Sequence, residues 1–387
     1  MSQTVFPQSI DELQHLLRTA SASGQPLFVY RRGNPGGVTV DLSKLAEIME
    51  IDAANLVATV GPGVTLGRLA GRLAEHKLRF IPADTPFYYD KTVGQLFYEG
   101  CANLSSLKYG STKHFLLGSE VVLPTGELLT TGGKTVKNVT GYDFTRFFNS
   151  PFTDYGITAK FLLKLLPLPQ TRSSLAVTFA GLEALLAFVK ELKDSRVVPA
   201  YLIWVDDIVQ AIFNDGPQGQ LVLLEFDGLR EETAELSHIA ATLIKKHGGI
   251  IREEYDGSGQ TAIKWRRLYC PAEKFIVTDE YKMAFTAQTE FIRAFYQAAR
   301  RRGIKAGLFG QLAEGKLNIV LDTVTPDNAF LAKAAGAVAA AGGICAGKYD
   351  RLAGNKPAGV LAVLEQRAKA AFDPQQILNR LTVAEVD

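Results

Sequence analysis

The sequence has few cysteines, and they lie far apart. Its 387 residues include three cysteines, Cys101, Cys270 and Cys345, with no CxxC pair among them. Iron–sulfur clusters are held by several closely arranged thiolates, so this spacing argues against a cluster held by this chain alone. The odd number of cysteines also argues against a disulfide framework.

Histidine motifs and net charge are also lacking. The five histidines show neither HxH nor HExxH spacing, so the sequence predicts no dedicated metal site. Isolated histidines such as His76 and His114 are interpreted as surface or structural residues. The formal net charge is only +2, which gives no strong field that would favour nucleic acid or an anionic membrane as a partner.

Long apolar runs are missing as well. No run approaches the ~18 residues needed to span a bilayer, so we expect no transmembrane segment. The N-terminal residues MSQTVFPQSIDE do not show the charged-then-apolar pattern of a signal peptide. The apolar fraction of 47% and the charged fraction of 21% are those of an ordinary soluble protein. We therefore expect a cytoplasmic protein, with peripheral membrane attachment possible through a partner.

The most informative stretch runs from residue 92 to residue 169, and its residues indicate strands and tight turns. The apolar run Leu116 to Leu123 predicts a strand, Pro124-Thr125-Gly126 predicts a turn, and Glu127 to Thr131 predicts a returning strand. Ile157 to Leu166 predicts a further strand, which ends at Pro167.

A family resemblance rests on the middle of this stretch. The segment LKYGSTKHFLLGSEVVLPTGELLTTGGKTVKNVTGYDFTR, and above all the run GGKTVKNVTGYD from Gly132 to Asp143, resembles the FAD-binding domain of the glycolate oxidase and D-lactate dehydrogenase flavoproteins. That family has the vanillyl-alcohol oxidase type of flavin fold. Within it, the chain is most similar to an accessory glycolate oxidase FAD-binding subunit.

The resemblance implies an α+β fold with three segments. Residues 1–169 would form a two-lobed PCMH-type FAD-binding domain, residues 170–356 a cap domain that carries the substrate site, and residues 357–387 a C-terminal segment that returns to the FAD domain. The closing residues FDPQQILN fit this return, with Ile377 and Leu378 inserting into the core.

The cap region has its own pattern of strands and helices. Between Leu175 and Glu254 the apolar periodicity predicts the order βαββαβ, and between Phe275 and Ile344 it predicts the same order again. We therefore expect two ferredoxin-like halves that share one sheet. Two unrelated α+β pieces are the alternative.

In the family, a glycine-rich loop cradles the FAD pyrophosphate, because glycines let backbone amides converge on phosphate oxygens. The corresponding loop here is Arg32 to Gly37, which is short and interrupted by Asn34-Pro35. An ordinary tight turn explains these residues equally well.

Two further flavin segments of the family are altered. Where the family has roughly TIGGNVA, the chain has Thr92-Val93-Gly94-Gln95-Leu96-Phe97, so that only the first glycine is kept. The Gln95 side chain would either block close approach to a phosphate or replace a lost amide contact. Where the family has roughly GSEGTLGIIT, the chain has NSPFTDYGIT, and its Tyr155 is interpreted as core packing in preference to a neighbour of the flavin.

The resemblance as a whole implies a set of ligand-binding residues. For the cofactor these are Arg32, Gly33, Asn34, Gly36, Gly37, Pro82, Thr92, Val93, Gly94, Gln95, Tyr109, Gly110, Ser111, Lys137, Asn138 and Ile157. Lys134, Lys137 and Asn138 would alternatively hold the two lobes together. Arg266 and Arg267 are candidates for binding a substrate carboxylate, since guanidinium grips carboxylate with two hydrogen bonds, although a surface-helix role is favoured.

The cap-domain motif of catalytic members, roughly GHxGDGNLH, has lost its histidines. The aligned residues run from Gly310 to Asn318, with Gln311 and Asn318 at the histidine positions. Neither amide can act as a base near neutral pH. Glu314, the carboxylate left in the run, is interpreted as a solvated turn residue, and no catalytic residue is identified.

These features give three functional hypotheses. The first is an accessory FAD-binding subunit of a 2-hydroxy-acid oxidoreductase, working beside a catalytic flavoprotein subunit and an iron–sulfur subunit. The second is a degenerate, flavin-free scaffold of the same fold. The third is a free-standing oxidase that uses another base, such as a tyrosine.

Overall fold

The structure of the chain is a computed structural model that describes residues 3–30, 37–84, 88–101, 103–135, 141–150, 154–213, 219–256, 276–278, 280–323, 325, 327–345 and 360–379. The chain divides into two compact units. Unit 1 comprises Met1–Asn103, Gly110–Leu168 and Ala358–Asp387, and unit 2 comprises Leu104–Tyr109 and Pro169–Pro357.

The α-helices in the described residues follow one another along both units. They are α1 (Ile10–Ser23), α2 (Leu66–Ala74), α3 (Val93–Tyr98), α4 (Ser106–Tyr109), α5 (Phe144–Phe148), α6 (Leu182–Asp194), α7 (Asp207–Ile212), α8 (Arg230–Lys246), α9 (Phe285–Arg302), α10 (Asn328–Ala340) and α11 (Val360–Phe372).

The strands form separate sheets in the two units. They are β1 (Gln3–Val5), β2 (Leu27–Val29), β3 (Val38–Val40), β4 (Ile48–Asp52), β5 (Val57–Val60), β6 (Leu78–Arg79), β7 (Leu116–Val122), β8 (Leu128–Gly132), β9 (Ile157–Lys164), β10 (Leu166–Pro167), β11 (Thr171–Phe179), β12 (Tyr201–Val205), β13 (Gln220–Gly228), β14 (Ile250–Asp256), β15 (Ile276–Val277), β16 (Tyr281–Lys282), β17 (Ala306–Gln311), β18 (Lys316–Leu321) and β19 (Ile344–Cys345).

The first lobe of unit 1 is a parallel sheet, ordered β1-β3-β2, packed against α1. Ser9 begins α1 by accepting a hydrogen bond from the amide of Glu12 at 3.1 Å. Gly24 ends the helix in the left-handed conformation with φ +67°, which glycine adopts without strain. The apolar stripe of α1, which includes Leu13 and Leu17, is buried against this sheet's core.

The second lobe of unit 1 is a sheet ordered β4-β5-β9-β7-β8, antiparallel throughout. The predicted hairpin of β7 and β8 is confirmed, with a turn closed by the Gly126 amide donating to the Leu123 carbonyl at 2.8 Å. Along β9 the residues are alternately buried and half-buried, as expected of a strand with one face on a core. The stretch from residue 92 to residue 169 also contains helices α3 and α5, which the sequence analysis did not predict.

Unit 2 is built on one sheet, and the order of the strands shows that the sheet consists of two similar halves. The order is β14-β11-β13-β12, followed by β17-β18-β16-β19, with β15 also paired to β18. Each group of four is one βαββαβ half in the ferredoxin-like order, and the two halves meet where β12 pairs with β17. The prediction of two ferredoxin-like halves sharing one sheet is confirmed.

The two faces of this sheet differ in chemistry. Apolar residues on one face, such as Val222, Leu224 and Phe226 of β13, belong to the core that the helices of unit 2 cover. The alternate positions Glu225 and Asp227 lie on the other face and are also buried. The opposite face of the sheet therefore holds buried charge that requires partners within the unit.

Candidate functional site

A small cavity lies inside unit 1 where four distant parts of the chain meet. Gly94 and Tyr98 of α3, Ile157 at the start of β9 and Asn379 of the C-terminal segment line it, together with Tyr30. The cavity measures about 40 Å³. Typical ligand pockets hold roughly 300–1,000 Å³, so side chains fill most of the space that a large ligand would need here.

The C-terminal segment enters this site by pairing with β2. The Leu27 amide donates to the Ile377 carbonyl at 2.8 Å, and Leu27 and Leu378 form a parallel bridge. Ile377 and Leu378 are each 1% exposed, which confirms the expected insertion of these residues into the core. The consequence is that Asn379 lies beside residues more than two hundred positions away in the sequence.

Asn379 holds a polar network on one wall of the cavity. Its Oδ1 accepts a hydrogen bond from the Val29 amide at 2.8 Å, and its Nδ2 donates to Asp154 Oδ1 at 2.6 Å and to the Tyr98 hydroxyl at 3.2 Å. Its backbone has φ +45°, a conformation that asparagine tolerates better than most residues. The network fixes the ends of β2, α3 and the C-terminal segment relative to one another.

Helix α3 begins with a reciprocal capping box. Thr92 Oγ1 accepts from the Gln95 amide at 3.2 Å, and Gln95 Oε1 accepts from the Thr92 amide at 2.9 Å. The next two amides are also used, since Val93 donates to the Val64 carbonyl and Gly94 to the Pro62 carbonyl, both at 2.9 Å. The first amides of α3 are therefore committed to the protein itself. The Gln95 side chain is likewise part of the cap.

Tyr30 occupies the space over Gly94. A Cβ atom added to Gly94 would lie 1.8 Å from the Tyr30 hydroxyl oxygen and 2.8 Å from its Cζ. The Tyr30 ring packs on Tyr98 with a centroid distance of 5.0 Å. Burial, reinforced by Tyr98 and by the carboxylates of Asp41 and Glu99, raises the pKa of Tyr30 far above that of an exposed tyrosine. The phenol is therefore neutral at physiological pH.

The structure brings only some of the predicted cofactor residues to this cavity. Gly94 and Ile157 line it, and Thr92, Val93 and Gln95 belong to the same helix start as Gly94. Eight of the predicted ligand-binding residues lie outside the described residues: Arg32, Gly33, Asn34, Gly36, Lys137, Asn138, Arg266 and Arg267.

The other predicted residues do not line the cavity; four of them lie in unit 1, and Tyr109 lies in unit 2. Pro82 is buried in a short 3₁₀ turn, and Gly37 faces the Phe28 ring so closely that a Cβ atom would lie 2.1 Å from it. Gly110 has φ +84°, and Ser111 precedes the following 3₁₀ turn. Tyr109 is in unit 2, where its hydroxyl donates to Asp227 at 2.7 Å.

Two further sequence-based interpretations concern Tyr155 and Lys134. Tyr155 stacks on Phe147 with a centroid distance of 5.1 Å and lies 6.0 Å from Phe372, which confirms its role in aromatic packing. Lys134 was expected near FAD or as a link between the two lobes. Its Nζ lies 2.6 Å from Glu50 and 3.2 Å from Asp52, both in β4 of the same lobe as β8, so these contacts do not link the lobes.

Sequence reasoning missed Tyr30, Tyr98, Asp154 and Asn379 as members of the site. Tyr30 directly precedes the predicted glycine-rich loop, and Asn379 ends the quoted segment FDPQQILN, so both positions carried a signal. Tyr98 and Asp154 have no motif of their own and become neighbours only through the fold.

The altered cap motif of unit 2 is held by structural hydrogen bonds. Gln311 Nε2 donates to the Leu104 carbonyl at 2.8 Å, and Asn318 Nδ2 donates to the Thr278 carbonyl at 2.9 Å. Glu314 was expected to be a solvated turn residue, but this is wrong. Its side chain is 14% exposed, lies 2.8 Å from Lys316 Nζ and accepts from Ser106 Oγ at 2.7 Å, because α4 of unit 2 brings Ser106 to it.

The described residues contain no cluster of three or more His, Cys, Asp or Glu side chains arranged to hold a metal ion. Among these same ranges, no helix combines the length and the apolar character needed to cross a membrane.

Comparison with known families matches both units. Residues 1–132 match the family described as FAD binding domain, and residues 168–383 match the family described as FAD linked oxidases, C-terminal domain. Together these two matches extend over most of the sequence.

Similar curated proteins cover nearly the whole chain. It is 27% identical to the glycolate oxidase subunit GlcD of Bacillus subtilis, over 97% of this chain and 87% of the relative. It is 25% identical to a D-lactate dehydrogenase of Anaerostipes hadrus, over 89% and 79% respectively. It is 22% identical to the D-2-hydroxyglutarate dehydrogenase of Stutzerimonas stutzeri, over 98% and 90%.

Solved structures with the same fold are more distant in sequence. Alkyldihydroxyacetonephosphate synthase aligns with a TM-score of 0.78 at 15% identity, over 98% of this chain and 76% of that chain. The 4-ethylphenol oxidase of Gulosibacter chungangensis aligns with a TM-score of 0.75 at 17% identity, over 97% and 88%. These likenesses concern the fold alone, and they confirm the α+β class with a PCMH-type FAD-binding domain.

The cavity residues fit an FAD molecule through the glycine at their centre. Gly94 has no Cβ atom, so a ligand could approach its backbone closely once the Tyr30 hydroxyl, which takes that space in this structure, has moved. The amides at the start of α3 are already bonded, so they are not the donors for a phosphate. The described residues thus offer FAD a glycine floor and the Asn379 wall, while the phosphate donors must come from other positions.

Proposed function

The chain belongs to the family of FAD-linked oxidases, and we propose that it is an accessory FAD-binding subunit of a 2-hydroxy-acid oxidoreductase complex. FAD is the cofactor of this family's binding domain, which the chain carries in its first 132 residues. The proposal concerns the substrate class, the accessory role and the membership of a complex.

The names of the relatives support the substrate class. Glycolate, D-lactate and D-2-hydroxyglutarate all carry a hydroxyl group on the carbon next to a carboxylate, and enzymes for all three are similar to this chain. A bound flavin accepts a hydride equivalent from that carbon, while the protein positions the acid and removes the hydroxyl proton.

The proposal of an accessory role rests on the hydrogen bonds of the two amide side chains in the cap motif. In catalytic relatives the resemblance places histidines where this chain has Gln311 and Asn318. Here both amide groups donate to backbone carbonyls at 2.8 and 2.9 Å, and Gln311 is 4% exposed. A buried amide that is bonded in this way cannot take a proton from a substrate hydroxyl. The remaining carboxylate, Glu314, is neutralised by Lys316.

Residues of unit 1 would hold FAD independently of that motif. Gly94 would admit the cofactor to the groove, Ile157 would contribute an apolar wall, and Asn379 would contribute a polar one. An FAD-loaded chain without a base in the cap motif would exchange electrons with partner subunits and would not oxidise substrate itself. The partners expected from the resemblance are a catalytic flavoprotein subunit and an iron–sulfur subunit.

Turnover by the isolated, FAD-loaded chain tests this proposal. The purified chain is saturated with FAD, its flavin content is measured, and oxidation of glycolate and of D-lactate is followed with an artificial electron acceptor. We expect bound FAD without turnover, because the chain lacks a base in the cap motif. Turnover in the usual enzymatic range of about 1–10³ s⁻¹ would contradict the accessory role and favour a free-standing oxidase.

Co-purification from the native cell tests the membership of a complex. We expect a stable assembly that contains a second FAD-linked oxidase chain and a protein whose cysteines ligate an iron–sulfur cluster. Recovery of the tagged chain only as a monomer, under conditions in which an added second flavoprotein chain also fails to bind, would contradict that part of the proposal.

A further inference from the structure

We propose that Tyr30 is a built-in competitor of the cofactor, whose ring closes the groove over Gly94 and must leave before FAD can bind. This inference rests on the binding of FAD at the Gly94 groove and adds a conformational step to it. It predicts that the apparent affinity of the chain for FAD is set in part by a residue that makes room for the cofactor.

The first observation is the close contact between Gly94 and the Tyr30 hydroxyl. The missing side chain of Gly94 makes room for the Tyr30 hydroxyl, since an added Cβ atom would lie 1.8 Å from that oxygen. The surface of Gly94 that a phosphate or ribose would approach is thus covered by a phenol. The same glycine cannot serve both groups at once, because they require the same volume.

The second observation is the backbone of Tyr30. Its φ is +58°, which lies in the left-handed region that bulky residues rarely adopt. Such conformations persist where surrounding contacts hold them, and they concentrate at ligand clamps and switches. For Tyr30 the holding contacts include the ring of Tyr98, at 5.0 Å between centroids. A strained residue that is held by side-chain contacts can change conformation when a ligand replaces those contacts.

The third observation is the size of the space that remains. With Tyr30 in place the cavity measures about 40 Å³, well below the roughly 300–1,000 Å³ of typical ligand pockets. A ligand group of the size of a ribose or a phosphate does not fit over Gly94 while the ring is in place. The closed and bound states are therefore mutually exclusive.

Exclusion of this kind has a simple quantitative effect. If the open conformation is a fraction of the population, the apparent dissociation constant rises by the inverse of that fraction. A closed form populated nine-tenths of the time would weaken FAD binding about tenfold. Removal of the ring should restore the intrinsic affinity.

The test is the equilibrium binding of FAD to the full chain, measured by calorimetry without any assay of activity. Tyr30→Gly removes the ring and suits a positive φ, so we expect its dissociation constant for FAD to fall about tenfold relative to wild type. Tyr30→Phe keeps the ring and removes only the hydroxyl over Gly94, so it should fall between the two. Circular dichroism establishes that each variant is folded.

Tyr89 provides the matched control. It also covers a glycine, because a Cβ atom on Gly67 would lie 3.0 Å from the Tyr89 Cβ, but it does not line the cavity. Tyr89→Ala should leave the affinity for FAD within about twofold of wild type.

The outcomes separate this inference from the proposed function. Tighter binding by Tyr30→Gly but not by Tyr89→Ala supports the competitor role. Equal or weaker binding by folded Tyr30→Gly, with FAD still bound by wild type, overturns the inference and leaves the proposed function intact. Failure of both wild type and Tyr30→Gly to bind FAD overturns both.

Discussion

Asp206 shows how a single residue can make the stability of unit 2 depend on pH. It is fully buried, and its carboxylate accepts hydrogen bonds from the amides of Val209 and Leu308 and from the Tyr296 hydroxyl. Burial raises the pKa of Asp206 to about 7, although these three donors favour the ionised form. The group therefore keeps its proton in the folded state over a range in which the unfolded chain has lost it.

The sign of the pH effect follows from this difference. Below about pH 4 Asp206 is protonated in both states, and between about pH 4 and pH 7 only the folded state holds the proton. Its contribution to the free energy of unfolding should therefore fall as the pH rises through this window, by up to about 1.4 kcal/mol per pH unit. The measurement is urea unfolding of wild type and Asp206→Asn at several pH values.

Val198→Ala offers the control for this prediction, because Val198 is an exposed residue of the same unit and carries no titratable group. The difference between wild type and Asp206→Asn should change across the window, whereas the difference between wild type and Val198→Ala should stay nearly constant. A constant difference for Asp206→Asn would mean that the carboxylate titrates alike in both states.

Single residues of the site were only partly predictable from sequence. The loss of the cap histidines could be seen directly, since Gln311 and Asn318 stand in an aligned motif. The role of Glu314 could not, because its partner Ser106 is more than two hundred residues away and reaches it only through α4. Burial of a charged side chain depends on such long-range partners, which a local pattern does not contain.

At the scale of elements, α3 defines the geometry of the cavity floor. Its sequence begins Thr92-Val93-Gly94-Gln95, which is the capping-box signature of Thr followed three residues later by Gln. The helix could therefore have been predicted from sequence. The sequence analysis compared these residues with a flavin segment of the family and predicted no helix there.

The capping box gives a prediction for the stability of this helix. Gln95→Ala removes the side-chain acceptor for the Thr92 amide and should lower the free energy of unfolding by about 0.5–1.5 kcal/mol. Gln95→Glu puts a carboxylate oxygen in the place of the amide oxygen and should stay within about 0.5 kcal/mol of wild type. Chemical unfolding of both variants checks this, and equal loss in both would show that the reach-back bond contributes nothing specific.

Longer elements were predicted well, because their patterns are local. The alternation of β9 and the hairpin of β7 and β8 follow from apolar periodicity and turn chemistry. The two ferredoxin-like halves follow from the repeated order of strands and helices. The antiparallel pairing of β12 with β17, which joins the halves, depends on long-range register and was not specified by the sequence.

At the scale of the whole molecule, unit 1 is closed by the end of the chain. The C-terminal segment pairs with β2, and Asn379 connects the Val29 amide to Asp154 and Tyr98. The return of this segment was expected from the family resemblance, but the cavity it completes was not. A site built from residues near positions 30, 94, 157 and 379 exists only after folding.

Loss of this closure should loosen the first lobe. Asn379→Ala leaves the Val29 amide without its acceptor and should lower the local stability of β2 by about 1–3 kcal/mol. Hydrogen–deuterium exchange of the β2 amides measures this directly. Gln376→Ala is the control, because Gln376 also has a positive φ, of +50°, but is exposed. Similar protection of β2 in both variants would show that Asn379 does not close the lobe.

The most direct test of the account is the flavin content of the full chain. The purified protein is incubated with excess FAD, freed of unbound cofactor and examined by visible absorption, and the supernatant after denaturation is assayed for released FAD. The account predicts a flavin spectrum and about one FAD per chain. A colourless protein that takes up no FAD, with Tyr30→Gly behaving in the same way, would contradict it and favour a flavin-free scaffold.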